Sequence, residues 1–339
     1  MHHYLEGYRM RTIRMFAAAA VILVITALTA CGSKPGPGSQ EPAAGAQPAV
    51  QESAVQESAA QGPADGQPAA EEASAQEQAG SLTVAAVSRS IGDLWLLAGG
   101  ELAGMTEDGM DLEGITENTQ VIGTVTNPSL EAIAALSPDM VLLSGELPTH
   151  KKLAEQLDAR GIPTRMISVN SFSDYDEVMH ELTDLTGRED CYQAHVTDVK
   201  GRIDEVLASE AAQNVKKGTY LALRVSATKN KALKDDYFAC EIFDAFGLEN
   251  IAQDNSALDE LNLEAILDAD PDMIFVIEQG KSDEAQDSFE KNFAAKPVWE
   301  ELKAVQNGCV YTLPKEYFQY KPNAKWDEAY LYVCELLQE

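Results

Sequence analysis

Arg224, Lys229, Lys231 and Lys234 stand within eleven residues of one another. Cations at that spacing can hold an anionic or oxygen-rich ligand through charge-assisted hydrogen bonds. They can equally form a solvated basic loop, and spacing alone leaves both readings open. The surroundings make the cluster conspicuous. The chain of 339 residues carries 25 basic against 55 acidic side chains, a formal net charge of -30. A second group, Tyr317, Phe318, Tyr320 and Lys321, sets three aromatic rings beside a cation. Such rings can wall a ligand pocket or cap a core.

Two carboxylates form a third candidate. Leu130 to Met140, LEAIAALSPDM, reappears as Leu263 to Met273, LEAILDADPDM, with seven of eleven positions identical. Glu131 and Glu264 therefore occupy the same place in two copies of one pattern. Each can support the start of its own short helix by charge–dipole attraction. Each can also be half of a matched pair of surface carboxylates for a two-fold symmetric partner.

Signatures of catalysis are scarce. The chain has no G-x-S-x-G, no G-x-x-x-x-G-K, no H-E-x-x-H, and no G-x-G-x-x-G after its first predicted strand. Of its five histidines, His180 and His195 fall in predicted helices, and His150 opens a helix after a strand end. One histidine without partners does not make a zinc or manganese site, so no metal site is expected. The five cysteines, Cys31, Cys191, Cys240, Cys309 and Cys334, contain no CxxC and no metal-ligand spacing. Disulfides and free buried thiols both remain open for the last four. The charge excludes the commonest nucleic-acid reading, because phosphate binding needs a basic face. It also argues against docking on anionic lipid.

The elements that must position these residues follow from the repeat. Each copy is a short helix, a Pro-Asp stop and an apolar run, Val141–Leu143 or Ile274–Val276, that reads as a buried parallel strand. A strand and a helix precede each copy: Leu82–Val87 with Ile91–Gly99, and Tyr220–Arg224 with Phe238–Gly247. A helix and a strand follow each: Lys151–Arg160 with Thr164–Ile167, and Val298–Val305 with Val310–Thr312. The pattern predicts an α/β fold of two similar parallel-sheet lobes, 81–173 and 215–339. Between them, 174–214 has helical spacing without proline and predicts connecting helices, one of them long.

In open parallel sheets, ligands bind beyond the carboxyl ends of the strands. Those ends are Ser88-Arg89-Ser90, Ser144–His150, Arg224–Lys234, Ile277–Lys281 and Pro314–Pro322. The side chains expected to face a ligand are Arg89, Ser144, His150, Arg224, Lys229, Glu278, Tyr317 and Tyr320.

The first 80 residues belong to neither lobe. Arg9, Arg11 and Arg14 precede Phe16–Ala30, fifteen residues without a charge. A basic flank followed by a short apolar run is an export signal, too short for an ordinary membrane span. The run ends in Leu28-Thr29-Ala30-Cys31-Gly32, which resembles the bacterial lipobox. That resemblance implies a signal peptide over 1–31 and a lipid on Cys31. Residues 32–80 are Ala, Gln, Glu, Pro, Gly and Ser with almost no branched or aromatic residues, and include the tandem repeat VQESAVQESA. Such a segment buries too little apolar surface to fold and is expected to be a disordered tether, spanning about 35–42 Å.

Ser81 to Glu339 resembles the helical-backbone (cluster A, type III) substrate-binding proteins of bacterial ABC importers. The subgroup is the one handling iron complexes, haem and cobalamin. The likeness rests on GTVTNPSLEAIAALSPD from Gly123, NLEAILDADPDMI from Asn262, and KPVWEELKAVQNGCVYTLP from Lys296. It implies a membrane-tethered receptor, not an enzyme, without a cofactor. That receptor would capture a siderophore, haem or corrinoid-type ligand between its lobes at the outer face of the cytoplasmic membrane. It also implies that Glu131 and Glu264 pair with arginines of a permease dimer. The related manganese and zinc receptors use a histidine set that this chain lacks. The alternative is a chelatase-like enzyme or a ligand sensor on the same bilobed fold.

Overall fold

The computed structural model of the chain describes residues 82–259 and 261–338. The export signal, Cys31 and the tether expected over 1–80 lie outside the described residues.

Lobe one is built on β1 (Val84–Ala86), followed by α1 (Arg89–Leu97), β2 (Leu102–Met105) and β3 (Gln120–Val121). A two-residue hairpin pairs Gly123 with Pro128 and leads into α2 (Leu130–Ala135). Then come β4 (Met140–Ser144), α3 (Pro148–Asp158) and β5 (Thr164–Ile167). All five strands pair in parallel, in the order β3-β2-β1-β4-β5. Ala85, Val87, Val141 and Leu143 bury their side chains against Ile133, Leu153 and Leu157 of the covering helices.

The connector is helical, as its spacing predicts, and starts two residues earlier than expected. Here α4 covers Phe172–Thr186, and Ser171 caps it by accepting the Asp174 N–H at 3.0 Å. Gly187 ends it at φ 69°, a left-handed turn that costs glycine no Cβ clash. A short helix, Glu189–Tyr192, and a π-helical turn, Gln193–Thr197, run directly into α5 (Asp198–Ala208).

Lobe two repeats the plan. It contains β6 (Thr219–Val225), β7 (Lys231–Ala232), α6 (Phe238–Ala245), β8 (Glu249–Asn250), α7 (Leu263–Ala269), β9 (Met273–Glu278) and β10 (Val310–Thr312). The order is β8-β6-β9-β10 in parallel, with β7 antiparallel to β6. The helix expected over 298–305 is broken: Pro297–Glu301 forms a 3₁₀ turn before a short helix, Lys303–Gln306. Leu221, Leu223, Ile274 and Val276 pack with Ile266, Trp299 and Leu302. On the other face Phe243 stacks on Phe275, ring centroids 4.2 Å apart.

A last helix, α8 (Trp326–Leu336), returns along α5 and closes the seam between the lobes. Trp326 lies edge-on to Phe172 of α4 at 5.7 Å and to Phe238 of α6 at 6.0 Å. Each such aromatic pair adds about 0.5–1.5 kcal/mol beyond its buried area. The result is the fold class that the repeat predicts, two parallel-sheet lobes joined by helices.

Candidate functional site

In each lobe the strand order reverses beside the first strand. In lobe one the chain moves outward from β1 through β2 and β3, then returns to place β4 on the other side of β1. In lobe two it does the same around β6, with β9 on the far side. A crevice opens beyond the strand ends at such a reversal, because the two crossovers leave in opposite directions. In this chain those ends are Val87–Ser90 and Ser144–Glu146 in lobe one, and Val225–Lys231 and Glu278–Gly280 in lobe two. The loop after β10 completes the set, since Lys315 Nζ donates to the Gly280 carbonyl.

Contacts cross from one set of strand ends to the other. Lys321 Nζ lies 2.9 Å from Glu146 Oε1, with the lysine side chain 13% exposed and the glutamate 40%. The same ammonium sits 4.8 Å from the ring centroid of Phe238 and 5.8 Å from that of Tyr237. Burial pushes its pKa down, and the Glu146 carboxylate pulls it back up. The Lys321 backbone N–H donates to Ser90 Oγ at 3.3 Å. Two residues on, buried Asn323 donates to the Ser90 carbonyl at 3.1 Å and to Asp93 Oδ2 at 2.7 Å. Burial raises the Asp93 carboxyl above its ordinary value, and that hydrogen bond opposes the shift.

Arg224 and Lys231 face each other across the β6–β7 ladder. Arg224 Cζ is 6.0 Å from the Tyr237 ring centroid, so two cations lie within cation–π range of one ring. Tyr237 is held by its hydroxyl, which donates to the Phe318 carbonyl at 2.7 Å. Burial lowers the pKa of Lys231, and Arg224 lowers it further.

The structure divides the residues expected to face a ligand. Arg224 joins the group just described, and Lys229 stays exposed at the tip of the same loop. Arg89 and Tyr320 meet, guanidinium to ring centroid 5.6 Å. Arg89 is engaged through Nη1, which pairs with Asp111 and donates to the Asp108 carbonyl at 2.9 Å, and it holds the Asp111 carboxyl below its usual range. Glu278 ends β9 beside Val225 and is 6% exposed. Ser144 Oγ accepts the Glu146 N–H at 3.3 Å and so shapes the loop carrying that carboxylate.

Two expected residues are turned elsewhere. His150 is fully buried, with Nδ1 accepting the Ser144 N–H at 3.1 Å and Nε2 within 2.8 Å of the Val125 carbonyl. This pattern assigns a neutral ring with the proton on Nε2, and burial holds its pKa down. Neither nitrogen is free for a ligand; the ring instead fastens the end of β4 to the hairpin before α2. Tyr317 donates to Glu328 Oε2 at 2.8 Å and packs on Tyr332, both on α8.

Four members of the group escaped the ligand-facing set: Glu146, Lys231, Tyr237 and Lys321. Glu146 and Lys321 sit in loops that topology marks, and Lys321 belongs to a basic-aromatic cluster. Tyr237 carries no signal, as its ring looks like any aromatic at a helix start. Glu131 and Glu264 are both exposed in the first turns of α2 and α7.

Among the described residues, no group of three or more His, Cys, Asp or Glu is placed to hold a metal ion. Cys191, Cys240, Cys309 and Cys334 are free thiols, and burial pushes Cys240 up to about 12. A recess of about 580 Å³ lies along the α5–α8 seam, lined by Arg202, Val206, Leu331 and Cys334. Its position on the helical back leaves the strand ends as the site favoured by topology.

The profile of the periplasmic binding protein family matches residues 84–317. The Fe(3+)-citrate-binding protein YfmC of Bacillus subtilis is 27% identical over 199 residues, 58% of this chain and 59% of that protein. The chain thus spans about three fifths of the length of that relative. Two solved structures share the fold. IsdE of Staphylococcus aureus complexed with heme superposes with TM-score 0.69 at 19% identity, over 77% of this chain and 100% of that one. The triscatecholate siderophore binding protein FeuA of Bacillus subtilis, complexed with ferri-bacillibactin, gives 0.59 at 22%, over 75% and 91%.

Proposed function

We propose that this chain, which belongs to the periplasmic binding protein family, is the substrate-binding receptor of an ABC importer. It captures an iron chelate, haem or corrinoid-type ligand between its lobes and delivers it to a permease dimer. One observation carries this reading: two topological switch points converge, and Arg89 and Glu146 of lobe one meet Tyr320 and Lys321 of lobe two there. Such a constellation recognises a ligand with an anionic oxygen surface and a flat or bulky body. The ligands of YfmC, IsdE and FeuA, which are ferric citrate, haem and a ferric triscatecholate, all belong to that class.

Arg89, Arg224, Lys229, Glu278 and Tyr320 line the cleft in this reading, while Glu131 and Glu264 dock on the permease. Cys31 carries a lipid that tethers the receptor to the outer face of the cytoplasmic membrane. The intact mass of the chain extracted from membranes checks the anchor, and a mass without lipid overturns it.

A thermal-shift panel of ferric citrate, a ferric catecholate chelate, haemin and cyanocobalamin tests the receptor. A ligand at a hundred times its Kd stabilises by about 2.7 kcal/mol, a shift of several degrees. No shift with any class overturns the reading.

A further inference from the structure

We infer that Lys321, Arg224 and Lys231 form an anion subsite of the cleft, and that Glu146 is its resident counter-ion, displaced when an anionic oxygen of the ligand arrives. The inference rests on the receptor reading above and names the part of the ligand that the subsite takes: a carboxylate or catecholate oxygen.

Arg224 and Lys231 are directly opposite on an antiparallel ladder, so their side chains leave the same face. Like charges at such positions destabilise the pair. With 55 acidic side chains in the chain, an acidic partner opposite either residue was readily available. Neither Arg224 nor Lys231 has an ion pair within 4.0 Å among the described residues, whereas Lys234, three residues on, pairs with Asp259 at 2.7 Å. Cations set against each other without neutralisation keep their capacity for an incoming anion.

Lys321 carries a cost of its own. Its ammonium is nearly buried over Tyr237 and Phe238, where an unpaired charge would be costly. Its one ion-pair partner among the described residues comes from the opposite lobe. Glu146 stands at the switch point of lobe one, beyond the end of β4, where a bound ligand would lie. Its loop is held from behind by the Ser144 hydroxyl and by the His150 ring. Glu146 is also the more exposed member of the pair, so it can swing into water while Lys321 cannot. The field of the same carboxylate reaches Tyr237 and, more weakly than that of Asp236, Lys231. A ligand oxygen entering there would exchange one carboxylate for another and leave Lys321 paired throughout.

The test uses the full-length chain and four probes: ferric citrate, metal-free citrate, a ferric tris-catecholate and neutral cyanocobalamin. Titration calorimetry compares wild type, Glu146→Gln, Lys321→Met and the double variant. Removing the resident carboxylate should tighten the anionic probes about tenfold, and Lys321→Met should weaken them at least as much. The gain from Glu146→Gln should vanish in the Lys321→Met background, which a purely structural role for Glu146 would not produce. Cyanocobalamin should not distinguish Glu146→Gln from wild type. Citrate without metal separates a carboxylate subsite from one that reads the whole chelate, and the catecholate arm separates the two oxygen chemistries. Binding of an anionic probe by Glu146→Gln alone also supports the inference. Equal or weaker binding of every anionic probe by Glu146→Gln overturns it and leaves the receptor reading standing, provided that any probe binds. If nothing binds any variant, both fall.

Discussion

The two lobes share a scaffold and differ at its rim. In lobe one Asp139 accepts the Thr83 N–H at 2.8 Å, and in lobe two Asp272 accepts the Thr219 N–H at 2.9 Å. Each carboxylate thereby fastens the start of one central strand to the start of its neighbour. The residue before each proline, Ser137 at φ 50° or Asp270 at φ 41°, takes the left-handed turn that ends the helix. The helix starts are capped alike, Ser129 accepting the Ala132 N–H at 3.2 Å and Asn262 the Glu264 N–H at 2.9 Å. Of the identical positions, the aspartate supplies a backbone partner and the isoleucine, Ile133 or Ile266, is fully buried in the core of its lobe. At the opposite strand ends, Arg89 is neutralised by Asp111 and Glu146 projects a negative charge, whereas Arg224, Lys231 and Lys321 project positive ones. Shared residues build the frame, and divergent loops decide what lies between.

The surface glutamates test whether the shared half of the pattern also works outward. Glu131 and Glu264 recur in both lobes, and both are exposed. Reversing both to Lys should abolish uptake and ATPase stimulation in a reconstituted transporter while leaving ligand affinity intact. Each like-charge contact replaces an attraction by a repulsion, costing several kcal/mol across a docked interface. A single reversal should hurt less, since the other lobe still engages. Normal transport by the double variant would end the docking proposal, and collapsed ligand affinity would move both glutamates into the cleft or the fold.

A smaller effect separates the divergent loops. Arg224→Ala should weaken an anionic ligand by about 1.5–3 kcal/mol, the range for a charge-assisted hydrogen bond. Arg89→Ala should cost less, because Asp111 and the Asp108 carbonyl already engage Nη1 of its guanidinium. Titration calorimetry on both variants orders the two, and a larger loss from Arg89 would reverse the division of labour between the lobes.

Much of this frame was legible in the sequence because it depends on local pattern. The strands Thr164–Ile167 and Val310–Thr312 fall where apolar runs place them, and the repeated Pro-Asp marks both lobes. The outer strands were not legible. Gln120–Val121 and Glu249–Asn250 are two residues long, too short to show a period, and Leu102–Met105 is interrupted by Gly104. Topology marked the loops that come together in the structure but not the direction of their side chains. His150 faces inward because a buried strand end and a hairpin carbonyl both needed a partner. Tyr317 was drawn off by Glu328. The Glu146–Lys321 pair joins loops far apart in sequence, and only the packing of both lobes brings them together.

The smallest expected difference lies in the frame itself and reads on its equivalence. Asp139 and Asp272 play one role, but Asp272 is held by more partners: the Thr219 N–H, the Thr219 hydroxyl at 3.0 Å, and Lys303 Nζ at 3.8 Å. Its carboxyl lies below the usual Asp range, first through the backbone hydrogen bond from Thr219. A carboxyl depressed in the folded state adds stability that is fully present above its unfolded pKa, about 3.9, and is lost as pH falls through the folded value. The stabilisation should therefore fade below about pH 4. Because Asp272 is 43% exposed, solvent screens much of it, and the loss belongs at the low end of the range for a surface pair. Thermal unfolding of Asp272→Asn and Asp139→Asn at neutral pH and near pH 3 measures the contrast. At neutral pH, Asp272→Asn should unfold at a lower temperature than Asp139→Asn, and the gap should narrow in acid as the wild-type carboxyl gains its proton. A gap that persists unchanged at low pH would assign the difference to shape and hydrogen bonding, and the two lobes would then be held by the same chemistry after all.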